Sequence, residues 1–478
     1  MSIAEFLRSG WNPTWHQGAE NFLSDLIEAR FGKTGLAGVS LRCPGFSKPE
    51  DVAFAAILHK DSPTSGGYGG TSLVVFPSES GPSLVALGVG TQGLSPDESI
   101  LTRPGHARFG RALAAWLRTL PSISTAWAKV DPTRTDVSIP KDVAACFVSH
   151  AKVFKKYGDV LYVIFEPNEP SGADINEAFT AMLDFYMLER GFSPLAPHRS
   201  NAVGLRRQYE GLILENASIA ETEALLLERR FVILQGPPGT GKTRLALSLI
   251  RDKFSGHGSV VQFHPSTSYE QFVGGLAPIE SDGQFGFAPR AGHLLQAAMA
   301  AEIGETPYLL VIDEINRADL ARTLGEAIYL FEPNDVDRSV ELTYDFGLPN
   351  GRNFKLPSNL FILGTMNSAD RSIALLDLAI RRRFAFLNVW PDGRALEQTE
   401  AVARSAFEQL TRIFMAHATD EQLKLLPGHA YFFSTSPTET QRRLRYEVVP
   451  LLRDYIDQGL VAGFREEIEG FLQSLESK

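Results

Sequence analysis

The sequence predicts an α/β fold in three parts, of which the middle part is a parallel sheet covered by helices. Three observations predict it. Between about residues 231 and 389, apolar runs of strand length alternate with helical patterns, which is the order of a parallel sheet. The first 195 residues mix amphipathic helices with strand-like runs and predict a separate mixed α/β domain. From about residue 395 the pattern is mostly helical and predicts a small C-terminal lid.

We therefore predict domains at 1–195, 196–392 and 393–478. The first boundary rests on Ser193–Ser200, where two prolines within four residues interrupt regular pairing. In the N-terminal domain we predict helices at Trp15–Phe31, Ala107–Leu120 and Ile175–Arg190, and strands at Val52–His59, Ser72–Phe76, Ser83–Val89 and Val160–Phe165.

The composition excludes several classes of protein. With 478 residues, 44% hydrophobic and 21% charged, the chain is not collagen-like, disulfide-stapled or wholly disordered. No apolar run approaches the roughly 18–20 residues of a membrane helix, so no membrane association is expected. Met1–Arg8 lacks the basic and apolar regions of a secretory signal. With only two cysteines, Cys43 and Cys146, these features favour a cytoplasmic protein.

The charge is unevenly distributed. The net charge of −10 opposes non-specific binding of nucleic acid by the whole chain. Residues 101–160, however, hold ten basic and four acidic residues, a local charge of +6. A second phosphate-binding surface is expected there, although an ordinary solvated basic face explains the charge equally well.

The strongest motif runs through Gly236, Pro237, Pro238, Gly239, Thr240, Gly241, Lys242 and Thr243. It matches G-x-x-x-x-G-K-[ST] in full, between a predicted strand (Phe231–Leu234) and a predicted helix (Lys242–Arg251). Such a loop binds phosphate through backbone N–H groups and the helix N-terminus. We expect Lys242 to reach the β- and γ-phosphates and the Thr243 hydroxyl to ligate Mg²⁺.

A second element supplies two carboxylates. The apolar run Tyr308–Ile312 ends in Asp313 and Glu314. In a P-loop ATPase the first acid holds the magnesium shell and the second orients the attacking water. We therefore predict Asp313, with Thr243, as a metal residue, and both acids as catalytic. A solvated pair of acids at a strand end would be reasonable in isolation, but the complete P-loop argues against it.

A third strand delivers polar residues at its C-terminal end, where ligands bind in open α/β sheets. The run Leu360–Gly364 leads to Asn367 and Asp370. Asn367 is the candidate that positions water against the γ-phosphate. Asp370 is a candidate nucleotide-binding residue, through a hydrogen bond from the base or by holding an arginine. The alternative is a turn with an Asx-type hydrogen bond, which is favoured less for Asn367 than for Asp370.

Three consecutive arginines, Arg381, Arg382 and Arg383, end the next predicted helix. The helix dipole explains one of them. Three together favour arginine fingers that act on a neighbouring subunit, and we favour Arg382 and Arg383 in that role. An arginine finger raises the rate of nucleotide hydrolysis about 10³–10⁵-fold. It would require the active site to be completed between subunits of a ring.

Taken in order, these motifs resemble the McrB family, a branch of AAA+ proteins, over roughly Leu205 to Ile456. The P-loop alone is shared with many families. More specific are the blocks Phe263–Phe272, Ile312–Arg317, Gly364–Ser372, Arg381–Phe384, Gly428–Phe432 and Tyr446–Tyr455. One departure is Ser368, where the family usually has threonine; serine keeps the hydroxyl, so function is expected to be retained.

The resemblance implies an AAA+ P-loop NTPase core with a helical lid. It further implies a hexameric ring that hydrolyses GTP or ATP with Mg²⁺ and serves restriction or anti-phage defence. A separate McrC-like subunit with a PD-(D/E)xK nuclease would stimulate it, and residues 1–195 would choose the target, commonly modified DNA. Asn316 and Arg317 match family positions tied to catalysis and subunit contact. Tyr269 and Phe272 lie where AAA+ rings often place pore-facing residues, although core packing explains them equally.

Candidate DNA contacts in the first domain are weaker. Trp116, Trp127 and Tyr68 are available to stack on a flipped base, although each is more often a core or rim residue. Candidate phosphate contacts are Arg103, Arg108, Arg111 and Arg118. No (D/E)-x-K follows Pro96-Asp97 before Ser200, so we expect another polypeptide to cut DNA.

Two other functions are compatible with the same NTPase domain. One is a chaperone that remodels a protein client, and the nearly neutral net charge of the N-terminal domain is compatible with this function. The other is a scaffold that binds nucleotide without hydrolysing it. The complete set of Lys242, Thr243, Asp313, Glu314 and Asn367 argues against the scaffold.

Overall fold

A computed structural model describes residues 1–44, 51–63, 66–79, 81–92, 95–168, 172–281, 284–304, 306–333, 335–369 and 378–476. The chain divides into two compact units. The first comprises Met1–Leu214 with Met415–Thr419, and the second comprises Glu215–Phe414 with Asp420–Lys478.

The first unit is a sheet with helices on both faces. Its helices are α1 (Ile3–Arg8), α2 (Trp15–Ala37), α3 (Glu98–Leu101), α4 (Pro104–Leu117), α5 (Lys141–Ala145), α6 (Ala151–Tyr157), α7 (Ala173–Leu188) and α8 (Ala196–Glu210). Its strands are β1 (Val39–Arg42), β2 (Ala55–His59), β3 (Gly69–Phe76), β4 (Leu84–Thr91), β5 (Ile123–Ala128) and β6 (Leu161–Pro167). The sheet is antiparallel throughout, in the order β1-β2-β3-β4-β6-β5.

Alternate residues of these strands belong to two different cores. Leu73 and Val75 face the large core formed with α2, α4 and α7, whereas Val74 and Phe76 face a smaller core near α6. All eight residues of β3 are buried as a result. Burial on both faces explains why the strands read as continuous apolar runs, without the alternation of a sheet that is exposed on one face.

Helix α8 packs in the first unit, although the predicted boundary at residue 195 would assign it to the second domain. Ala202, Leu205 and Tyr209 are buried, and the last two lie in the large core of the first unit. On the polar side, Gln208 accepts a hydrogen bond from the Trp116 indole at 2.8 Å. The two prolines of the predicted linker therefore precede or open a helix and do not separate the compact units.

The second unit contains a parallel sheet and a helical C-terminal part. Its helices are α9 (Ile219–Arg229), α10 (Lys242–Asp252), α11 (Tyr269–Phe272), α12 (His293–Gly304), α13 (Leu320–Leu324), α14 (Leu378–Arg381), α15 (Ala401–His417, with its last turn counted in the first unit), α16 (Pro437–Arg443), α17 (Val449–Asp457) and α18 (Arg465–Glu476). Its strands are β7 (Phe231–Gly236), β8 (Gly258–Gln262), β9 (Gly274–Ser281), β10 (Gln284–Ala291), β11 (Tyr308–Asp313), β12 (Val340–Glu341), β13 (Asn353–Phe354), β14 (Leu360–Asn367) and β15 (Ala385–Asn388).

The parallel sheet has the strand order β15-β7-β14-β11-β8. Helices cover both of its faces, and the central strands β7, β11 and β14 are almost wholly buried. The predicted α/β class with a parallel sheet, a mixed α/β N-terminal region and a helical C-terminal part is confirmed. The hairpin β9–β10, which joins α11 to α12, was not predicted. Within the described residues, none of the helices is both long and apolar enough to cross a membrane.

A buried ion pair joins three helices of the first unit. The Arg30 guanidinium donates twice to the Asp184 carboxylate, at 2.5 Å each, and once to Asn201 at 3.0 Å. These residues lie on α2, α7 and α8. Both charged side chains are less than a tenth exposed. Removal of one partner would leave the other charge buried without compensation.

We predict that Asp184→Asn destabilises the first unit by about 3–5 kcal/mol. Urea unfolding followed by tryptophan fluorescence will measure the change, because four of the five tryptophans, residues 11, 15, 116 and 127, lie in this unit. Asp136→Asn, in the exposed pair with Arg134, is the matched control and should leave the transition unchanged. Equal effects of the two variants would contradict the importance of the buried pair.

Candidate nucleotide-binding site

The P-loop connects β7 to α10 at the carboxyl end of the parallel sheet. Two of its glycines have left-handed backbones, Gly239 with φ of 76° and Gly241 with φ of 84°. Gly241 is also the N-cap of α10 and supplies no side chain to cap it. The first N–H groups of the helix are therefore free to bind an anion.

The carbonyl groups of this loop are used within the protein. Gly236 accepts from the Ser368 N–H at 3.0 Å, and Pro238 accepts from the Gly428 N–H at 3.0 Å. Gly239 accepts from the Ala430 N–H, also at 3.0 Å, and Pro237 accepts from the Thr240 hydroxyl. With its carbonyls held in this way, the loop keeps its N–H groups for a ligand.

Lys242 is folded back onto the loop. Its ammonium donates to the carbonyls of Gly236 at 2.9 Å and Pro237 at 2.7 Å. The side chain is buried, and this burial lowers the pKa of Lys242 to about 8, against the opposing effect of Glu314 and Asp313. A phosphate offers the ammonium a stronger acceptor than two neutral carbonyls. The Lys242 ammonium therefore lies next to the position where the phosphates are expected to bind.

The Asp313 carboxylate connects the P-loop helix to two strands. The same oxygen, Oδ1, accepts from the Thr243 hydroxyl at 2.8 Å and from the Thr365 hydroxyl at 2.6 Å. Thr365 in turn accepts from the Glu314 N–H at 3.1 Å. Glu314 has a left-handed backbone with φ of 55°, which turns the chain sharply after β11.

The predicted metal residues fit Mg²⁺. Thr243 and Asp313 offer only oxygen atoms, and Mg²⁺ commonly binds to one or two protein oxygens together with substrate phosphates. Among the residues that the structure describes, no cluster of three His, Cys, Asp or Glu side chains forms a metal site of another kind. The oxygen pair at the P-loop thus suits a cation that arrives with a nucleotide.

Two asparagines meet beside these acids. The Asn316 amide donates to the Asn367 carbonyl at 3.4 Å, and the buried Asn316 Oδ1 has no partner among the described residues. The Asn367 side chain accepts from the Ala369 N–H at 3.1 Å in an Asx-type turn, and among the described residues its NH₂ group stays available for a ligand. Asp370, predicted to touch the nucleotide, lies outside the described residues.

The three arginines differ in exposure. Arg381 and Arg382 are exposed, and Arg381 lies over the Phe386 ring at 4.7 Å. Arg383 is buried and donates to the Ala379 carbonyl at 2.6 Å. Arg382 is therefore accessible to a neighbouring subunit. Arg383 is held within its own chain, so its predicted role as a second finger has no support from this arrangement.

Sequence reasoning missed two parts of the site. Thr365 lies within an apolar strand, and only its register next to β11 brings its hydroxyl to Asp313. The segment Gly428–Ala430 lies about 190 residues after the P-loop in the chain, and its two N–H groups reach the loop carbonyls. The block Gly428–Phe432 was noted for its family resemblance, and that was the available signal.

A family model described as "AAA domain (dynein-related subfamily)" matches residues 231–384. The "Type IV methyl-directed restriction enzyme EcoKMcrB subunit" of Escherichia coli (strain K12) is 35% identical over 268 residues, which cover 53% of this chain and 57% of that protein. Residues 231–384 thus form an AAA domain, and the chain is similar to the McrB family. Its sequence-based assignment to that family is confirmed.

A second relative is also a restriction protein. This chain is 30% identical over 194 residues to the "Type II restriction enzyme BsuMI component YdiS" of Bacillus subtilis (strain 168), over 32% of this chain and 55% of that one. The chain thus spans little more than half the length of the curated relatives it matches. A solved structure from Cytophaga hutchinsonii covers 53% of this chain and 88% of its own, at 14% identity and with a TM-score of 0.25.

The lowered pKa of Lys242 predicts how nucleotide affinity depends on pH. A bound phosphate favours the charged lysine and raises its pKa, so above pH 8 binding requires uptake of a proton. The affinity for ADP should be nearly constant from pH 6.5 to 7.5 and then fall by up to tenfold per pH unit above 8.

Isothermal titration calorimetry from pH 6.5 to 9.5 measures this dependence. Lys242→Arg, which stays charged throughout, is expected to bind more weakly and without the slope. A wild-type affinity that is flat up to pH 9.5 would contradict the assignment of Lys242 as the phosphate ligand with a lowered pKa.

Proposed function

We propose that this chain is the ring-forming, NTP-hydrolysing motor subunit of a McrBC-like restriction complex whose nuclease is a separate polypeptide. The observation that carries the proposal is the convergence of Lys242, Thr243, Asp313 and Glu314 at one edge of the parallel sheet, around a P-loop with free N–H groups. GTP and ATP both remain candidate substrates, because the described site includes no contact that identifies a base.

In the proposed reaction, the P-loop N–H groups and Lys242 hold the phosphates. Thr243 and Asp313 would hold Mg²⁺, which would neutralise phosphate charge. Glu314 accepts the proton of the attacking water, and the free NH₂ of Asn367 orients that water. Arg317 lies 3.4 Å from the Glu314 carboxylate and helps to fix its position. These roles follow from side-chain chemistry at the observed positions.

Support for a restriction complex comes from the relatives. Their names describe a restriction-enzyme subunit and a restriction-enzyme component, so each works with further polypeptides. One of them is called methyl-directed, which supports modified DNA as the target chosen by residues 1–195. We propose a nuclease of the PD-(D/E)xK class as the stimulating partner and a hexamer as the ring.

Burial and hydrogen bonding in the first unit reduce the number of candidate DNA-contacting residues. Trp116 is buried and bonded to Gln208, Tyr68 is bonded to Ser72, and Arg108 is buried, so these side chains serve the fold. Lys141 on α5 and Lys152 and Lys155 on α6 are exposed. We therefore propose this lysine surface as the phosphate contact within the basic region 101–160.

A protein-remodelling function is the second candidate, and one observation favours it. In the β9–β10 hairpin, Phe285 and Phe287 lie on the same face and are 85% and 73% exposed. Exposed aromatic pairs of this kind are typical of protein contacts. A protein client would make nucleotide turnover respond to an unfolded polypeptide and not to DNA or a nuclease subunit.

The first test is steady-state phosphate release with GTP and with ATP, each with and without the protein encoded beside this chain. Turnover that rises with that partner is expected. Glu314→Gln should bind nucleotide as the wild type does and lose turnover by about 10²–10⁴, because the general base is gone. Turnover that responds only to an unfolded polypeptide would favour the second function. Unchanged turnover in Glu314→Gln would refute the role of Glu314.

The ring predicts complementation between two inactive variants. Arg382→Ala lacks the finger and Glu314→Gln lacks the base, so each alone should be inactive. In a mixture, an intact Glu314 of one chain faces an intact Arg382 of its neighbour, and phosphate release should return in part. Arg442→Ala, which removes an exposed charge on α16, is the control and should be active alone. Mixtures that stay inactive at every ratio would remove the support for a finger acting between subunits.

A further inference from the structure

One segment of the C-terminal helical part crosses directly over the P-loop. It comprises Gly428–Tyr431 and is called the lid segment below. Its two hydrogen bonds go to the carbonyls of Pro238 and Gly239. A Cβ atom on Gly428 would lie 2.1 Å from the carbonyl carbon of Gly239, so the close approach requires glycine. The Tyr431 ring also lies against Gly239.

The residue between these contacts, His429, has a fixed ring orientation. Its Nδ1 accepts a hydrogen bond from the Asp392 N–H at 3.1 Å. An accepting Nδ1 carries no proton, so the neutral ring carries its proton on Nε2. Within the described part of the chain, Nε2 has no hydrogen-bond partner. It lies 3.8 Å from the point where a Cβ on Gly241 would stand, and so faces the P-loop.

The surroundings keep this histidine available as a donor. Burial lowers the pKa of His429, and so does Arg244 on α10, while Asp392 raises it. The Asp392 carboxylate is itself engaged by Arg394 at 3.0 Å. The ring is only partly exposed, and its outer edge packs near Phe433. At neutral pH the site therefore presents an N–H group toward the loop that holds phosphates.

We infer that His429 is a nucleotide-binding residue, whose Nε2–H donates to the α- or β-phosphate of a nucleotide held in the P-loop. Gly241 belongs to the part of such a loop whose N–H groups surround the α- and β-phosphates. The contact rests on the proposed nucleotide-binding function and adds to it a direct link from the lid segment to the bound nucleotide. It would be shared by diphosphates and triphosphates and be independent of the base.

Two substitutions separate this role from a structural one. Asparagine at 429 offers an oxygen near the Nδ1 position, so it keeps the bond from Asp392 but does not reach the nucleotide. Glutamine offers an amide NH₂ near the Nε2 position, so it keeps the reach. We expect His429→Asn to weaken binding of ADP, ATP, GDP and GTP about tenfold and His429→Gln to stay within about threefold of wild type.

The measurement is calorimetric titration of the full chain with each nucleotide, with thermal unfolding without nucleotide as the check on folding. His293→Ala, on α12, is the matched control and should bind as the wild type does. Weak binding by both variants, or a weaker Gln variant than Asn variant, would overturn the donor role, and so would a loss confined to one base or to triphosphates. Unchanged binding by His429→Asn would also overturn it. A wild-type chain that binds none of the four nucleotides would instead refute the proposed function.

Discussion

The Asp313 carboxylate is the interaction on which the nucleotide site depends. A single oxygen accepts from hydroxyls on α10 and β14, while Asp313 itself ends β11. Three elements that are far apart in the chain are thereby fixed at one edge of the sheet. Because the Thr365 hydroxyl also receives the Glu314 N–H, the position of the proposed general base depends on the same group.

This arrangement explains the unusual backbone that follows the strand. Glu314 adopts a left-handed conformation, which costs a residue with a Cβ free energy on the order of 1–3 kcal/mol. Packing next to the turn offsets that cost, since Ile315 and Asn316 are buried immediately after it. After the sharp turn, Glu314 lies near enough to Lys242 to favour its charged form, and Asn316 lies against Asn367.

The P-loop backbone is held through its carbonyl groups. Ser368, which directly follows β14, donates its N–H to the Gly236 carbonyl. The lid segment donates two N–H groups to the carbonyls of Pro238 and Gly239. The loop conformation thus depends on two elements that come later in the chain. A movement of the helical part would be transmitted to the phosphate-binding loop through these two bonds, which is a physical route between lid position and nucleotide binding.

The sequence alone determined the parts of this protein that depend on local chemistry. Glycine spacing and the alternation of apolar runs predicted the P-loop, the parallel sheet and the acids at the end of β11, because each is encoded within a few neighbouring residues. Only the tertiary structure decided the rest. It assigned α8 to the first unit, buried Arg383 while leaving Arg382 exposed, and brought Thr365 and His429 to the nucleotide site. Each of these depends on packing between residues far apart in sequence, which no local pattern records.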